Sequence, residues 1–234
     1  MRLSRGEIGG VKFLYRDGMS DKKTFDEVLG KNVYQKRGMT IERGERWMDC
    51  GGNVGAFALL ACSRGAEVTV YEPDPYCCEM IEKNLKLNKM SAEVKQAALV
   101  NDNKAYVNLF IGNNGNVWRN SIVRKWNDKG MKVPALNFDS EADHFDCCKM
   151  DIEGAEMPIL EDTKKRFKKL VYEWSFDIDP SLRRLWQMLE KQKDQYRIEA
   201  AWSSIRYEER DYEVWQPSWF PACTNVFCFA DAKN

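Results

Sequence analysis

An acid followed by three glycines and an asparagine opens Asp49-Cys50-Gly51-Gly52-Asn53-Val54-Gly55, and a second acid, Glu72, stands twenty-one residues after Gly51. Gly51 and Gly52 can take backbone angles closed to other residues and leave no Cβ in the way of a ligand, while Gly55 lets a helix pack close to a strand. The spacing of Glu72 suits a carboxylate that accepts hydrogen bonds from both hydroxyls of a ribose. Further on, Lys149-Met150-Asp151-Ile152-Glu153-Gly154-Ala155-Glu156 gathers three acids, and Glu173 sits in Val171-Tyr172-Glu173-Trp174-Ser175. Such carboxylates can take up a proton or hold a hard cation.

The glycine register does not match the G-x-G-x-x-G of a dinucleotide site, whose last glycine opens a helix toward a pyrophosphate. Asp49 would repel a pyrophosphate and would suit a cation. S-adenosylmethionine carries a sulfonium and an ammonium, so Asp49 with Asn53 would face its amino-acid end and Glu72 its ribose. The bland alternative is a glycine-rich turn beside a structural acid.

These residues need elements to hold them. From residue 45 the pattern alternates: Arg46 to Cys50 reads as a strand, Asn53 to Ser63 as a helix, Glu67 to Glu72 as a strand and Pro75 to Asn88 as a helix. Asp74 can cap that last helix, with Pro75 in the first turn, where a missing N–H costs nothing. Ala92 to Leu99 reads as a third strand. Ala105 to Gly112 and Val117 to Val123, on either side of a turn-rich Asn113 to Asn116, read as a hairpin-like insertion, followed by an irregular stretch to about 143. His144 to Asp151 and Lys169 to Ser175 give a fourth and a fifth strand, with a short helical segment interrupted at Pro158 between them. Leu182, Leu185, Trp186 and Leu189 fall at helical spacing after Ser181, and Tyr196 to Ile205 and Thr224 to Ala230 are further strands. Alternation of this kind predicts an α/β fold: a mostly parallel sheet with helices on both faces. Residues 1–44 read as an N-terminal extension with one short helix around Phe25 to Leu29, and residues 45–234 as one domain.

Composition fits one globular α/β domain. Of 234 residues, 44% are hydrophobic and 31% charged, with no apolar run long enough to span a membrane. The first ten residues lack the apolar core of a secretory signal, which predicts a cytoplasmic chain with reduced cysteines. Two of the cysteine pairs are adjacent (Cys77-Cys78 and Cys147-Cys148), and no C-x-x-C occurs, so the eight cysteines read as small buried side chains. Thirty-six basic residues balance thirty-six acidic ones, which disfavours nucleic acid as a partner. The basic run Lys164 to Lys169 reads as a solvated helix end.

Taken together, Asp49 to Gly55, Tyr71-Glu72-Pro73-Asp74-Pro75 with Asn84-Leu85-Lys86-Leu87-Asn88, and Lys149 to Glu156 resemble the motifs of the FkbM-type methyltransferases. The resemblance spans Trp47 to about Ser175. It implies a class I methyltransferase (Rossmann-like) seven-stranded, mostly parallel sheet with an antiparallel last strand. It also implies cofactor contacts from Asp49, Gly51, Asn53, Gly55 and Glu72, with Ala97 or Ala98 near the adenine, and O-methylation of a hydroxyl on a sugar, glycan or other small molecule.

Methyl transfer is an in-line displacement, so the protein must chiefly align the acceptor and help remove its proton. Asp151, at the end of the fourth strand, is the first choice for that base; Glu153 could orient the acceptor, and Glu173 could contact it. Glu156 reads as a helix-capping acid. Asp151 could instead hold a divalent metal. His144, the single histidine, would lie about 20 Å away at ~3.3 Å per strand residue and reads as a surface residue. Trp174, Trp202, Trp215 and Trp219 could wall a sugar site, though packing is the commoner use of such residues. The rival readings are a ribose 2′-O-methyltransferase on RNA, an NAD-dependent oxidoreductase and a binding module without catalysis.

Overall fold

The computed structural model describes residues 2–112, 119–202, 205–206 and 223–230. The chain opens with two strands, β1 (Leu3–Ile8) and β2 (Val11–Arg16), paired antiparallel around Gly9 and Gly10. Both glycines have positive φ, 58° and 83°, as a two-residue hairpin turn requires. Helix α1 (Asp21–Phe25) runs into a π-helical turn, Asp26–Gly30. The regular part follows as β3 (Arg46–Cys50), α2 (Ala56–Ser63), β4 (Glu67–Tyr71), α3 (Pro75–Leu87) and β5 (Glu93–Lys95). After it come β6 (Ala98–Val100), β7 (Tyr106–Phe110), β8 (Gly130–Asn137) and α4 (Phe138–Ala142). The chain continues through β9 (Cys147–Met150), α5 (Glu156–Asp162), β10 (Lys169–Ser175), α6 (Leu182–Gln192), β11 (Arg197–Trp202), β12 (Ile205–Arg206) and β13 (Cys223–Phe229).

The main sheet has the order β12-β11-β13-β10-β9-β3-β4-β5. Strands β5, β4, β3, β9 and β10 run parallel, and β13 is antiparallel to both of its neighbours. Seven strands thus form the expected sheet, to which the two-residue β12 adds an edge. Adjacent residues explain why both faces are covered. Trp47 and Cys147 face α2 and α3 through Phe57, Leu59, Met80 and Ile81, whereas Met48 and Cys148 face α5 and α6 through Leu160, Leu185 and Leu189. The Cys147-Cys148 pair is therefore split between two apolar layers, and all eight cysteines are free. Asp74 caps α3 by accepting from the Tyr76 amide, with Pro75 in the first turn.

Four local readings need correction. The expected third strand divides: β5 stays in the main sheet, while the Ala97 amide donates to the Lys95 carbonyl at 2.9 Å and turns β6 into a second sheet, β6-β8-β7. The partner of β7 is β8, in a stretch that reads as irregular; of the expected partner Val117 to Val123, only residues 119–123 are described, and among these one bridge, Phe110 to Ser121, reaches β7. Pro134 masks β8 in the sequence, yet it lies at the handover where pairing with β7 ends and pairing with β6 begins at Ala135. Pro158 does not interrupt α5, because it is the third helical residue, whose N–H has no intrahelical partner in any case. Finally, the N-terminal segment holds the β1–β2 hairpin as well as a helix.

That segment packs onto the sheet's helices. Phe13, Phe25, Val28 and Leu29 share a cluster with Trp47 and Phe57, and the Leu14 amide donates to Asn84 Oδ1 of α3 at 2.6 Å. Arg16 and Asp21 form a buried ion pair at 2.8 Å. Among the described residues no helix is long and apolar enough to cross a membrane.

Candidate functional site

At the C-terminal end of β3 the chain leads to β4 on one side, while β9 lies on the other, so a crevice opens between the loops that follow β3 and β9. The glycines of the first loop are demanded by the protein itself. A Cβ on Gly51, whose φ is 82°, would lie 1.9 Å from the Asp151 carbonyl oxygen, and one on Gly52 would lie 2.1 Å from Val70 Cγ1. Gly55, at φ 87°, approaches Ile81 of α3, so its close packing is helix to helix and not helix to strand. The loop is narrow because β9 and β4 flank it.

Glu72 is buried and accepts from two backbone amides, Asn53 and Asp74, each at 2.8 Å. Burial pushes its carboxyl up to about 8, although both amides act in the opposite direction. Asn53 Oδ1 is buried without a hydrogen-bond partner among the described residues, as are both carboxylate oxygens of Asp49. Asp49 makes instead an ion pair, 3.1 Å from Lys149 Nζ, which also donates to the Gly51 carbonyl at 2.6 Å. Burial pushes the Asp49 carboxyl up and by itself would push Lys149 down. Asp49 and Asp151 outweigh burial at Lys149, whose pKa rises to about 12, so we take the pair as ionised.

Beyond β9, Asp151, Glu153 and Glu173 each bring a carboxylate oxygen within 4.8 Å of the others, a set that could ligate one hard cation. Glu153 holds a left-handed φ of 53°, and Gly154 follows at 102° with Ile178 Cγ2 2.6 Å from where its Cβ would be. Burial, then Asp151 and Glu173, push Glu153 up to about 10; burial and Asp151 push Glu173 up to about 8. Glu156 belongs to the loop: its oxygens accept from the Ile152 and Gly154 amides at 2.6 and 2.7 Å. Asp151 Oδ2 accepts from the Tyr34 hydroxyl at 2.6 Å.

One cavity of about 440 Å³ joins these groups, a size suited to a nucleoside-sized ligand with an acceptor beside it. Gly51, Asn53, Glu72, Ala97, Ala98, Asp151, Glu153 and Glu173 all line it; Asp49 and Gly55 do not. His144 is exposed in the turn before β9. Trp174 is buried in the core with its indole N–H on the Asp179 carbonyl, so it walls nothing. The side chain of Trp202, and Trp215 and Trp219 altogether, lie outside the described residues.

Two residues escape sequence reasoning. Lys149 left a signal, a lysine inside the otherwise apolar Cys147-Cys148-Lys149-Met150 strand, which once buried must find an anion. Tyr34 left none.

A family model, the methyltransferase FkbM domain, matches residues 49–198. The chain belongs to the FkbM methyltransferase family. Its methyl donor is accordingly S-adenosylmethionine, and the NAD-dependent reading is withdrawn, since the family is one of methyltransferases. No curated protein matches this FkbM methyltransferase in sequence. Among solved structures, that of P. horikoshii TYW2 in complex with MeSAdo aligns at 13% identity and a TM-score of 0.46, covering 97% of this chain and 69% of that one. Pyrococcus abyssi tRNA (uracil-54, C5)-methyltransferase in complex with S-adenosyl-L-homocysteine aligns at 14% and 0.49, covering 97% and 43%. A dimethyladenosine transferase from Plasmodium falciparum aligns at 12% and 0.50, covering 88% and 62%. At 12% identity and a TM-score of 0.50, the likeness to the dimethyladenosine transferase is one of fold alone. The chain spans from 43% to 69% of the lengths of these three.

Proposed function

We propose that this FkbM methyltransferase moves a methyl group from S-adenosylmethionine to a hydroxyl of a sugar, a glycan or another neutral polyol. The residues present fit the donor. Glu72, oriented by two amides, would accept from its ribose; Asn53, whose Oδ1 has no hydrogen-bond partner among the described residues, would take its ammonium; Ala97 and Ala98 offer an apolar surface to its adenine. Asp49 would act one step removed, through Lys149 and the Gly51 carbonyl that Lys149 holds.

S-adenosylmethionine supplies a methyl carbon already activated by positive sulfur. The chain must then position a hydroxyl and take its proton. The observation that carries this reading is the trio Asp151, Glu153 and Glu173, gathered within 4.8 Å on the same cavity as Glu72. Glu153 and Glu173, raised to about 10 and 8, hold protons at neutral pH and can donate to an acceptor oxygen. Asp151, the member that takes a hydrogen bond from Tyr34, is the base. Cys223 also lines the cavity, but burial pushes its thiol up, which disfavours a thiolate nucleophile. The even balance of thirty-six basic and thirty-six acidic residues disfavours a phosphate-rich acceptor such as RNA.

Incubating the protein with labelled S-adenosylmethionine and a panel of monosaccharides, glycans, small alcohols, amines and RNA tests the proposal. A labelled polyol is expected. Asp151→Asn should cut turnover by about 100-fold or more while S-adenosylhomocysteine still binds. Label on amines or RNA alone would overturn the assignment, and full turnover of Asp151→Asn would remove the base. A requirement for added Mg²⁺, lost with EDTA, would instead make the trio a metal site.

A further inference from the structure

We infer that Tyr34 is a positioning residue for the base, so that the segment preceding the family match completes the active site. The inference rests on the reading of Asp151 just given. The family match begins at Asp49, yet Lys23, Thr24, Glu27, Val28, Val33 and Tyr34 all line the cavity. Most of these supply surface. Tyr34 supplies a directed bond: its hydroxyl donates to Asp151 Oδ2 at 2.6 Å, across 117 residues of chain.

The ring cannot easily turn away. Tyr34 is 6% exposed. Phe57 of α2 packs edge-on against it at 5.7 Å between centroids, and Lys149 Nζ lies 5.5 Å from the ring centre. That lysine is fixed in turn by Asp49 and by the Gly51 carbonyl. One aromatic side chain therefore touches the glycine loop through Lys149, the helix that follows the loop through Phe57, and the carboxylate trio through its hydroxyl. Burial, then the neighbouring Asp151 and Glu173 charges, hold the phenol well above its ordinary range, so it remains a donor. A donor on one Asp151 oxygen fixes the carboxylate plane and leaves the other oxygen for a substrate proton.

Tyr34→Phe keeps the ring and deletes the bond. With the acceptor found by the labelled panel, kcat should fall about 10-fold or more, the value of a hydrogen bond to a charged group. KM for the acceptor and calorimetric affinity for S-adenosylhomocysteine should stay within about twofold, because neither depends on the deleted bond. A crystal structure of Tyr34→Phe with S-adenosylhomocysteine reads the same point without any acceptor: the Asp151 carboxylate should leave its position. An unmoved carboxylate, an unchanged kcat, or a fall in kcat matched by an equal loss of S-adenosylhomocysteine affinity would overturn the inference. Failure of the base reading is separate: Asp151→Asn would then turn over at the normal rate, whatever the crystal says of Tyr34.

Discussion

Glu72 and Glu156 are the same residue type, both buried, both holding two backbone amides, and they differ in that only Glu72 lines the cavity. Glu156 ties down the turn after β9. Glu72 lines the cavity, where a ribose would meet it. Removing it should weaken S-adenosylhomocysteine binding by about 10-fold or more, given about 0.5–1.5 kcal/mol for each of the two ribose hydrogen bonds. Calorimetry on Glu72→Ala, with a thermal melt to confirm folding, measures this; wild-type affinity would take the ribose contact away from Glu72. Asp49 illustrates the reverse case. Its sequence position points to a cation, and the cation the fold delivers is Lys149, ninety-nine and ninety-eight residues from the two carbonyls it also serves, those of Cys50 and Gly51.

The loop between β3 and α2 works because two strands press on it from either side. Its glycines were legible from the sequence, but the partner that forbids a side chain was not, since the Asp151 carbonyl is brought there by the parallel pairing of β3 with β9. Gly51→Ala should therefore cost roughly 2–3 kcal/mol, combining a left-handed backbone angle with an overlap against main chain. It should also impair cofactor binding, because relief requires Asp151 to move. Urea unfolding and S-adenosylhomocysteine titration on the same variant check both; a stability loss below about 0.5 kcal/mol would mean that the loop is looser than described. Elsewhere, the glycine pair between Ile8 and Val11 was a readable hairpin signal, while β8 was hidden by Pro134 and by the charged side chains around it.

For the whole molecule, the buried acids set the response to pH. Glu72, Glu153, Glu156 and Glu173 are raised to about 8, 10, 7 and 8, with burial the first cause in each. A carboxyl whose pKa is higher in the folded chain than in the unfolded one binds the extra proton when folded. Its contribution is complete below the unfolded value near 4.5 and is lost as pH rises through the folded value. Unfolding free energy of the ligand-free protein should accordingly fall between about pH 5 and pH 8, by up to about 1.4 kcal/mol per pH unit for each group titrating. Asp146, held low by Arg46, acts in the opposite sense only at more acid pH. Chemical denaturation across this range tests the point; stability rising from pH 5 to pH 8 would show that these acids are solvated or paired.

What the sequence by itself determined is the local chemistry and the class of fold. Asp49 to Gly55, Glu72 and the acids from Asp151 to Glu173 could be picked out because glycine backbone freedom and carboxylate spacing are local properties, and the alternation of strands and helices dictates a parallel sheet. Tertiary structure alone decided which groups meet. The pairing of Lys149 with Asp49, the clash that reserves Gly51 for glycine and the bond from Tyr34 to Asp151 all join residues roughly a hundred positions apart. Such contacts depend on strand order and on the path of the N-terminal segment, which no residue spacing encodes.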